Sequence, residues 1–188
     1  MSVNTVQLTN RYNPQLLQGE NLLTEGNTAT LTLHIPSTIQ GPKRTESAKG
    51  RLWVTDRRVV FVTDSLNAPG SSSNDGPPGY DAPPTLNSLE IGHTLVRSCT
   101  YNLPTFSANH IRMSFLPSPS SNSLPDPGTG QVLEAKIIVG EGAGHAVWKI
   151  IEGERSRAEE RGRDEEDLPA YDQGPSGPPP TFDPPLKS

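Results

Sequence analysis

From Thr28 the chain reads TATLTLHI, with Ala29, Leu31, Leu33 and Ile35 alternating with small or polar residues. A two-residue period sends these four side chains to one face, which predicts a half-buried strand that stops at Pro36, where the ladder loses a donor. Gly50 then leads into RLWVTDRRVVFVT, in which the β-prone runs 52–54 and 59–63 flank a polar turn at 55–58. That is the pattern of a hairpin. Leu89, Ile91 and the stretches 95–101, 110–116 and 132–139 repeat the apolar rhythm and predict further strands. Between two of them, Leu103, Pro104 and Phe106 read as a turn whose aromatic ring packs inward.

The period changes after the glycine turn at 140–144. Val147, Ile150 and Ile151 fall three and four residues apart with Trp148 beside them, so the spacing predicts an amphipathic helix. Its charged continuation places Arg155 with Glu159, and Glu159 with Arg163, at the four-residue spacing of supporting ion pairs, and the helix is expected to fray near Gly162. Several strands followed by one helix give a mainly β fold with a single C-terminal α-helix, a barrel or sandwich whose open end the helix plugs. No βαβ rhythm is present.

Two polar stretches, at about 64–87 and 117–130, hold almost nothing that could be buried, and connections of that length are associated with function or disorder. The expected organisation is therefore a flexible N-terminal arm at 1–15, a domain at 16–161 carrying these two insertions, and a disordered proline-rich tail at 162–188. From Leu168 onward seven of 21 residues are proline, which favours an extended polyproline conformation.

Composition narrows the function classes. Of 188 residues only 31% are hydrophobic, while 17 Gly and 20 Pro point to a modest core with much unpacked chain. Cys99 is the only cysteine, so no internal disulfide can form; the opening residues MSVNTVQLTN lack a basic start and an apolar run. Together these predict a reducing, intracellular setting without a secretory signal. The longest aliphatic or aromatic run, 59–62, is far short of the ~20 residues a membrane-spanning helix needs. A net charge of -5 opposes broad attraction to nucleic acid, so chromatin association is expected only through partners.

Pro77, Pro78, Gly79 and Tyr80 form a PPxY tetrad within the first insertion. Consecutive prolines hold the chain in the polyproline II form before binding, which lowers the ordering cost of docking in an aromatic-lined groove, and the tyrosine fills an adjacent pocket. The plainer reading is a chance tetrad whose tyrosine packs on the barrel. Leu168, Pro169 and Tyr171 form the related LPxY, in which leucine takes part of the proline groove. Two such motifs on flexible segments would give a partner with tandem WW domains a gain in avidity.

The second candidate is cationic. Lys43, Arg44, Lys49, Arg51, Arg57 and Arg58 stand against Glu46 and Asp56 over one short stretch of an otherwise acidic chain. A basic rim of this kind suits a phosphoinositide headgroup at a membrane surface; the plainer reading is solubilising charge around a hairpin. No catalytic constellation is legible. The four histidines, His34, His93, His110 and His145, carry no metal-ligand spacing, Cys99 reads as a small core residue, and the GxGxG at 140–144 lacks the spacing of a phosphate loop. No cofactor, no metal and no enzymatic activity are expected.

GRLWVTDRRVVFV at 50–62, followed by LEIGHTLVRSCTYNLPTFSANHIRMSF at 89–115, resembles the GRAM domain of the WW-domain-binding protein 2 family. There a similar hairpin precedes an aromatic-x-Ala-Asn-x-Ile phrase, which Phe106, Ala108, Asn109 and Ile111 match. The resemblance spans roughly residues 16–155. It implies a pleckstrin-homology-like barrel and a WW-binding adaptor and transcription coactivator of cytoplasm and nucleus, with ubiquitin ligases or transcriptional regulators as WW partners. Family members carry several PPxY motifs in a long tail; here the single PPxY lies in the inserted loop.

Overall fold

The computed structural model describes residues 2–3, 6–9, 13–37, 42–64, 86–117 and 132–166. Eight antiparallel strands make one curled sheet: β1 (Ser2–Val3), β2 (Asn27–Ile35), β3 (Arg44–Val54), β4 (Arg58–Thr63), β5 (Ser88–Gly92), β6 (Val96–Asn102), β7 (His110–Phe115) and β8 (Leu133–Val139). Their order across the sheet is β1-β5-β4-β3-β2-β8-β7-β6, and α1 (Gly144–Glu166) lies against the end of the half-barrel. A 3-10 turn at His93–Leu95 joins β5, next to one edge of the sheet, to β6 at the other edge.

The alternation in β2 works as the pattern predicts: Ala29, Leu31, Leu33 and Ile35 are buried, and they meet Leu52, Val54, Phe61, Ile91, Ile111, Met113, Phe115, Leu133 and Ile137 in one core. α1 adds Val147 and Ile151 to that core, with Glu154 and Ala158 continuing the same buried stripe. Trp148 donates its indole N–H to the Cys99 carbonyl (3.2 Å), so the helix covers the otherwise open edge of β6. Gly50 is obligatory where β3 crosses β4, since a Cβ there would lie 2.0 Å from the Val62 carbonyl oxygen.

Four features depart from the sequence-based expectations. β3 starts at Arg44, well before Gly50, because its polar first half pairs along β2 and gains cross-strand contacts such as Thr32 to Ser47 (3.2 Å) and His34 to Thr45 (3.2 Å). Phe106, expected inward, is fully exposed: Asn102 and His110 pair with each other, so residues 103–109 project beyond the sheet. α1 continues past Gly162 to Glu166, supported by Arg155–Glu159 (3.2 Å) and Arg163–Glu159 (3.3 Å). The lead-in, expected as a free arm, is tied down: Ser2 and Val3 pair with β5, and Val6 and Leu8 cover Trp53, Val60 and Val62 on the sheet's other face.

Candidate functional site

The first insertion leaves and rejoins the sheet at one point. β4 and β5 are adjacent and antiparallel, and the Thr63 N–H donates to the Asn87 carbonyl (2.9 Å), which closes the stem below residues 65–85. Pro77, Pro78 and Tyr80 lie within that stretch, outside the described residues, as do Leu168, Pro169 and Tyr171 beyond the end of α1. What the fold supplies to the PPxY tetrad is therefore a two-stranded base at the sheet.

The fold redistributes the six cations singled out in the sequence. Alternation along β3 turns Thr45, Ser47, Lys49 and Arg51 to the solvent face of the sheet, and Lys49 and Arg51 stand there exposed. Arg44 belongs to the opposite set and pairs with Glu46 (3.2 Å). Burial raises the Glu46 carboxyl above its ordinary range, against the pull of Arg44. Lys43 lies just ahead of β3 and Arg57 in the β3–β4 turn, both exposed.

Arg58 is not part of a basic rim at all. It is 7% exposed, with its Nε 2.8 Å from Glu20 Oε1, Nη2 2.8 Å from Glu20 Oε2 and Nη1 2.9 Å from Glu90. Nη2 also donates to the Gln15 carbonyl (2.8 Å), while Glu20 accepts from the Thr55 hydroxyl (2.6 Å) and the Leu17 N–H (2.6 Å). Burial would raise the Glu20 carboxyl, but these donors outweigh it and hold it below its ordinary value. Likewise burial would lower the Arg58 guanidinium, yet the two carboxylates keep it raised. A guanidinium enclosed in this way is structural.

In place of Arg44 and Arg58, the solvent face recruits cations that no linear reading groups with β3. The register puts Ser47, Thr32, Lys136 and Arg112 in one row across β3, β2, β8 and β7, and Lys49, Thr30 and Ile138 in the next. Arg112 is held by Glu134 (2.7 Å), which lowers the Glu134 carboxyl. Lys49, Arg51 and Lys136 carry no ion pair among the described residues. Their neighbours on β2 are Thr28, Thr30, Thr32 and His34, none of them acidic. Among the described residues the face is thus net positive, in a chain of net charge -5. The missing signal was long-range strand register, which brings β3 and β8 to either side of β2 and so puts Lys49, Arg51 and Lys136 on one face.

At the end of this face a shallow concavity of about 540 Å³ is lined by Leu103, Pro104, His110, Arg112, Glu134 and Lys136, together with Asn102. Elsewhere, Cys99 is buried, and burial pushes its thiol up to about 12, so it is a core residue rather than a thiolate nucleophile. His93 is also buried, its Nε2 2.9 Å from the Thr55 carbonyl. Among the described residues no cluster of His, Cys, Asp or Glu has the geometry of a metal site, and no helix is long and apolar enough to cross a membrane. The glycines of the 140–144 turn have local structural reasons: Gly142 takes φ 71°, and a Cβ on Gly144 would sit 3.2 Å from the Tyr101 ring.

This architecture is that of a pleckstrin-homology-like domain. A solved structure described as the Vps36 N-terminal PH domain matches it with a TM-score of 0.50 at 17% identity, covering 81% of this chain and 91% of that one. A chain of the 8S snRNP assembly intermediate aligns with a TM-score of 0.44 at 10% identity, over 72% of this chain and 83% of that one. No family model matches the sequence, and no curated protein does. At 17% identity the likeness to the Vps36 domain defines the fold alone.

Proposed function

We propose that this chain is a non-enzymatic adaptor that presents its PPxY tetrad to WW domains, in the manner of the WW-domain-binding protein 2 family that it resembles. The observation that carries the reading is the combination of Pro77, Pro78 and Tyr80 in one polar stretch with a stem closed at Thr63 and Asn87. Two strands of a rigid sheet then serve as the base from which a proline-stiffened segment meets an aromatic groove. Leu168, Pro169 and Tyr171 provide a second, weaker contact after the helix. The partners are WW-bearing ubiquitin ligases or transcriptional regulators, and the role is coactivator-like in nucleus and cytoplasm. Calorimetric titration of the full chain with a WW domain tests this: Tyr80→Ala should abolish most of the binding, and unchanged affinity would refute the assignment.

A second reading is favoured by a different observation, the cationic solvent face of Lys49, Arg51, Arg112 and Lys136. In this reading the domain is a peripheral module for anionic lipid, phosphoinositides included, with charge contributed by β3, β7 and β8 rather than by the hairpin alone. Sedimentation with phosphoinositide-containing vesicles, comparing the natural chain with Lys49→Glu/Arg51→Glu, decides it. Equal binding by both proteins would retire the lipid reading and leave the adaptor reading intact.

A further inference from the structure

We infer that the β6–β7 loop is a membrane-inserting tip, in which Leu103 and Phe106 enter the interfacial region of an anionic bilayer while the cationic sheet face rests on its headgroups. The inference rests on the lipid reading and assigns it a contact that reading does not contain. Three observations support it.

The first is exposure. Phe106 is 100% exposed and Leu103 70% exposed, and they share one short loop. A phenyl ring standing free in water gains nothing from folding, since its apolar area is left hydrated. Isolated exposed apolar residues are ordinary, but here the two lie together beyond the last pair of the β6–β7 ladder, Asn102 with His110.

The second is the relation of the tip to charge. Leu103 and Pro104 form one wall of the concavity whose other walls include His110, Arg112 and Lys136, so the base of the apolar tip and the cations border one space. The one acid among them, Glu134, is neutralised by Arg112 at 2.7 Å, which leaves Lys136, and beyond it Lys49 and Arg51, as positive charge without an ion pair among the described residues. Apolar residues in front and cations behind is the distribution that a leaflet with hydrocarbon inside and phosphate outside accommodates.

The third is shape. The loop projects past the last ladder pair, with Phe106 fully exposed and packed on nothing among the described residues. A free phosphate or a soluble headgroup would use the cations but has no use for Leu103 and Phe106. A fluid apolar medium accepts a projecting, exposed ring without needing a complementary pocket, and this selects a bilayer over a soluble anion.

The test is flotation of the full-length protein with phosphatidylcholine vesicles that contain or lack phosphatidylserine, using the natural chain, Leu103→Ser/Phe106→Ser and Phe106→Trp. The expected result is retention on the anionic vesicles only, a loss of about tenfold or more in the serine double variant and near-natural binding by the tryptophan variant. Both side chains are exposed, so the thermal midpoint of each variant should match that of the natural chain, which separates insertion from misfolding. Excess soluble phosphoserine should fail to release the protein. Undiminished binding by the double variant, or release by soluble phosphoserine, would overturn insertion while sparing the lipid reading. Failure of the natural chain to bind any vesicle would overturn both, and Tyr80→Ala should leave every arm unchanged.

Discussion

Arg58 and Glu20, 38 positions apart, meet with both ends of the carboxylate bonded: Nε to Oε1 at 2.8 Å and Nη2 to Oε2 at 2.8 Å. The pair fastens the lead-in segment to the β3–β4 turn, and the surrounding bonds from Thr55 and Leu17 reinforce it. Removing one member of a buried pair leaves the other charged and unmatched. Glu90 still faces Arg58, so the loss for Glu20→Gln should fall at the lower end of the known range, on the order of 3 kcal/mol. For a chain of this size that corresponds to a fall of about 6–12 °C in thermal midpoint, measurable by calorimetry. Arg58→Lys should also lower the midpoint, because an ammonium does not reproduce the guanidinium's fork to Glu20, Glu90 and the Gln15 carbonyl. An unshifted midpoint in Glu20→Gln would show that the lead-in is held by other means.

The same pair marks where the sequence stops being informative. β2, the β3–β4 hairpin and α1 were legible because each carries its own apolar period, and such a pattern depends only on neighbours in the chain. The first half of β3 was not, since RTESAKG has no apolar alternation and becomes a strand by pairing with β2. Arg57 and Arg58 looked equivalent as adjacent turn residues, yet one is exposed and the other is enclosed by Glu20 and Glu90. Phe106 was misplaced for the complementary reason: hydrophobic character was read as burial, a rule that runs in one direction only. The PPxY and LPxY tetrads were legible as chemistry, because their mode of recognition needs no fold of their own.

Gly50 and Gly153 should respond to alanine in opposite directions. At Gly50 the new methyl group meets the Val62 carbonyl at 2.0 Å and the Thr63 Cα at 2.7 Å, backbone atoms that cannot rotate away. The expected loss is about 3 kcal/mol or more, at or above the usual cost of overpacking. At Gly153, inside α1, nothing lies within 4 Å of the added carbon. Gly153→Ala should therefore stabilise the protein by about 1 kcal/mol through helix propensity. Urea unfolding of the two variants tests the strand crossing and the helix in one experiment, and a tolerated Gly50→Ala would contradict the β3–β4 register.

If both tetrads act, valence should be visible in the binding data. A tandem WW protein engaging Tyr80 and Tyr171 makes its second contact intramolecularly, at an effective concentration that is about millimolar for short flexible linkers. Tyr171→Ala should then weaken the tandem partner by about tenfold or more while leaving a single WW domain almost unaffected, and Tyr80→Ala should weaken both. Equal effects of Tyr171→Ala on single and tandem partners would mean that the second tetrad is not a linked site.

His93 gives a pH signature independent of any partner. It is 2% exposed, its Nε2 donates to the Thr55 carbonyl, and its Nδ1 has no partner among the described residues. Burial holds the imidazole below its ordinary value of 6.5, although the Thr55 carbonyl, Glu154 and Asp56 act to raise it and Arg161 to lower it. The folded protein therefore takes up this proton less readily than the unfolded chain. Its contribution to stability is complete above pH 6.5 and declines as the pH falls from there through the folded value. One such group imposes a slope of up to about 1.4 kcal/mol per pH unit within that window. In urea titrations from pH 8 downward, the difference in stability between the natural chain and His93→Gln should stay constant to about pH 6.5 and then shrink. A constant difference across the whole range would mean that His93 titrates alike in the folded and unfolded states.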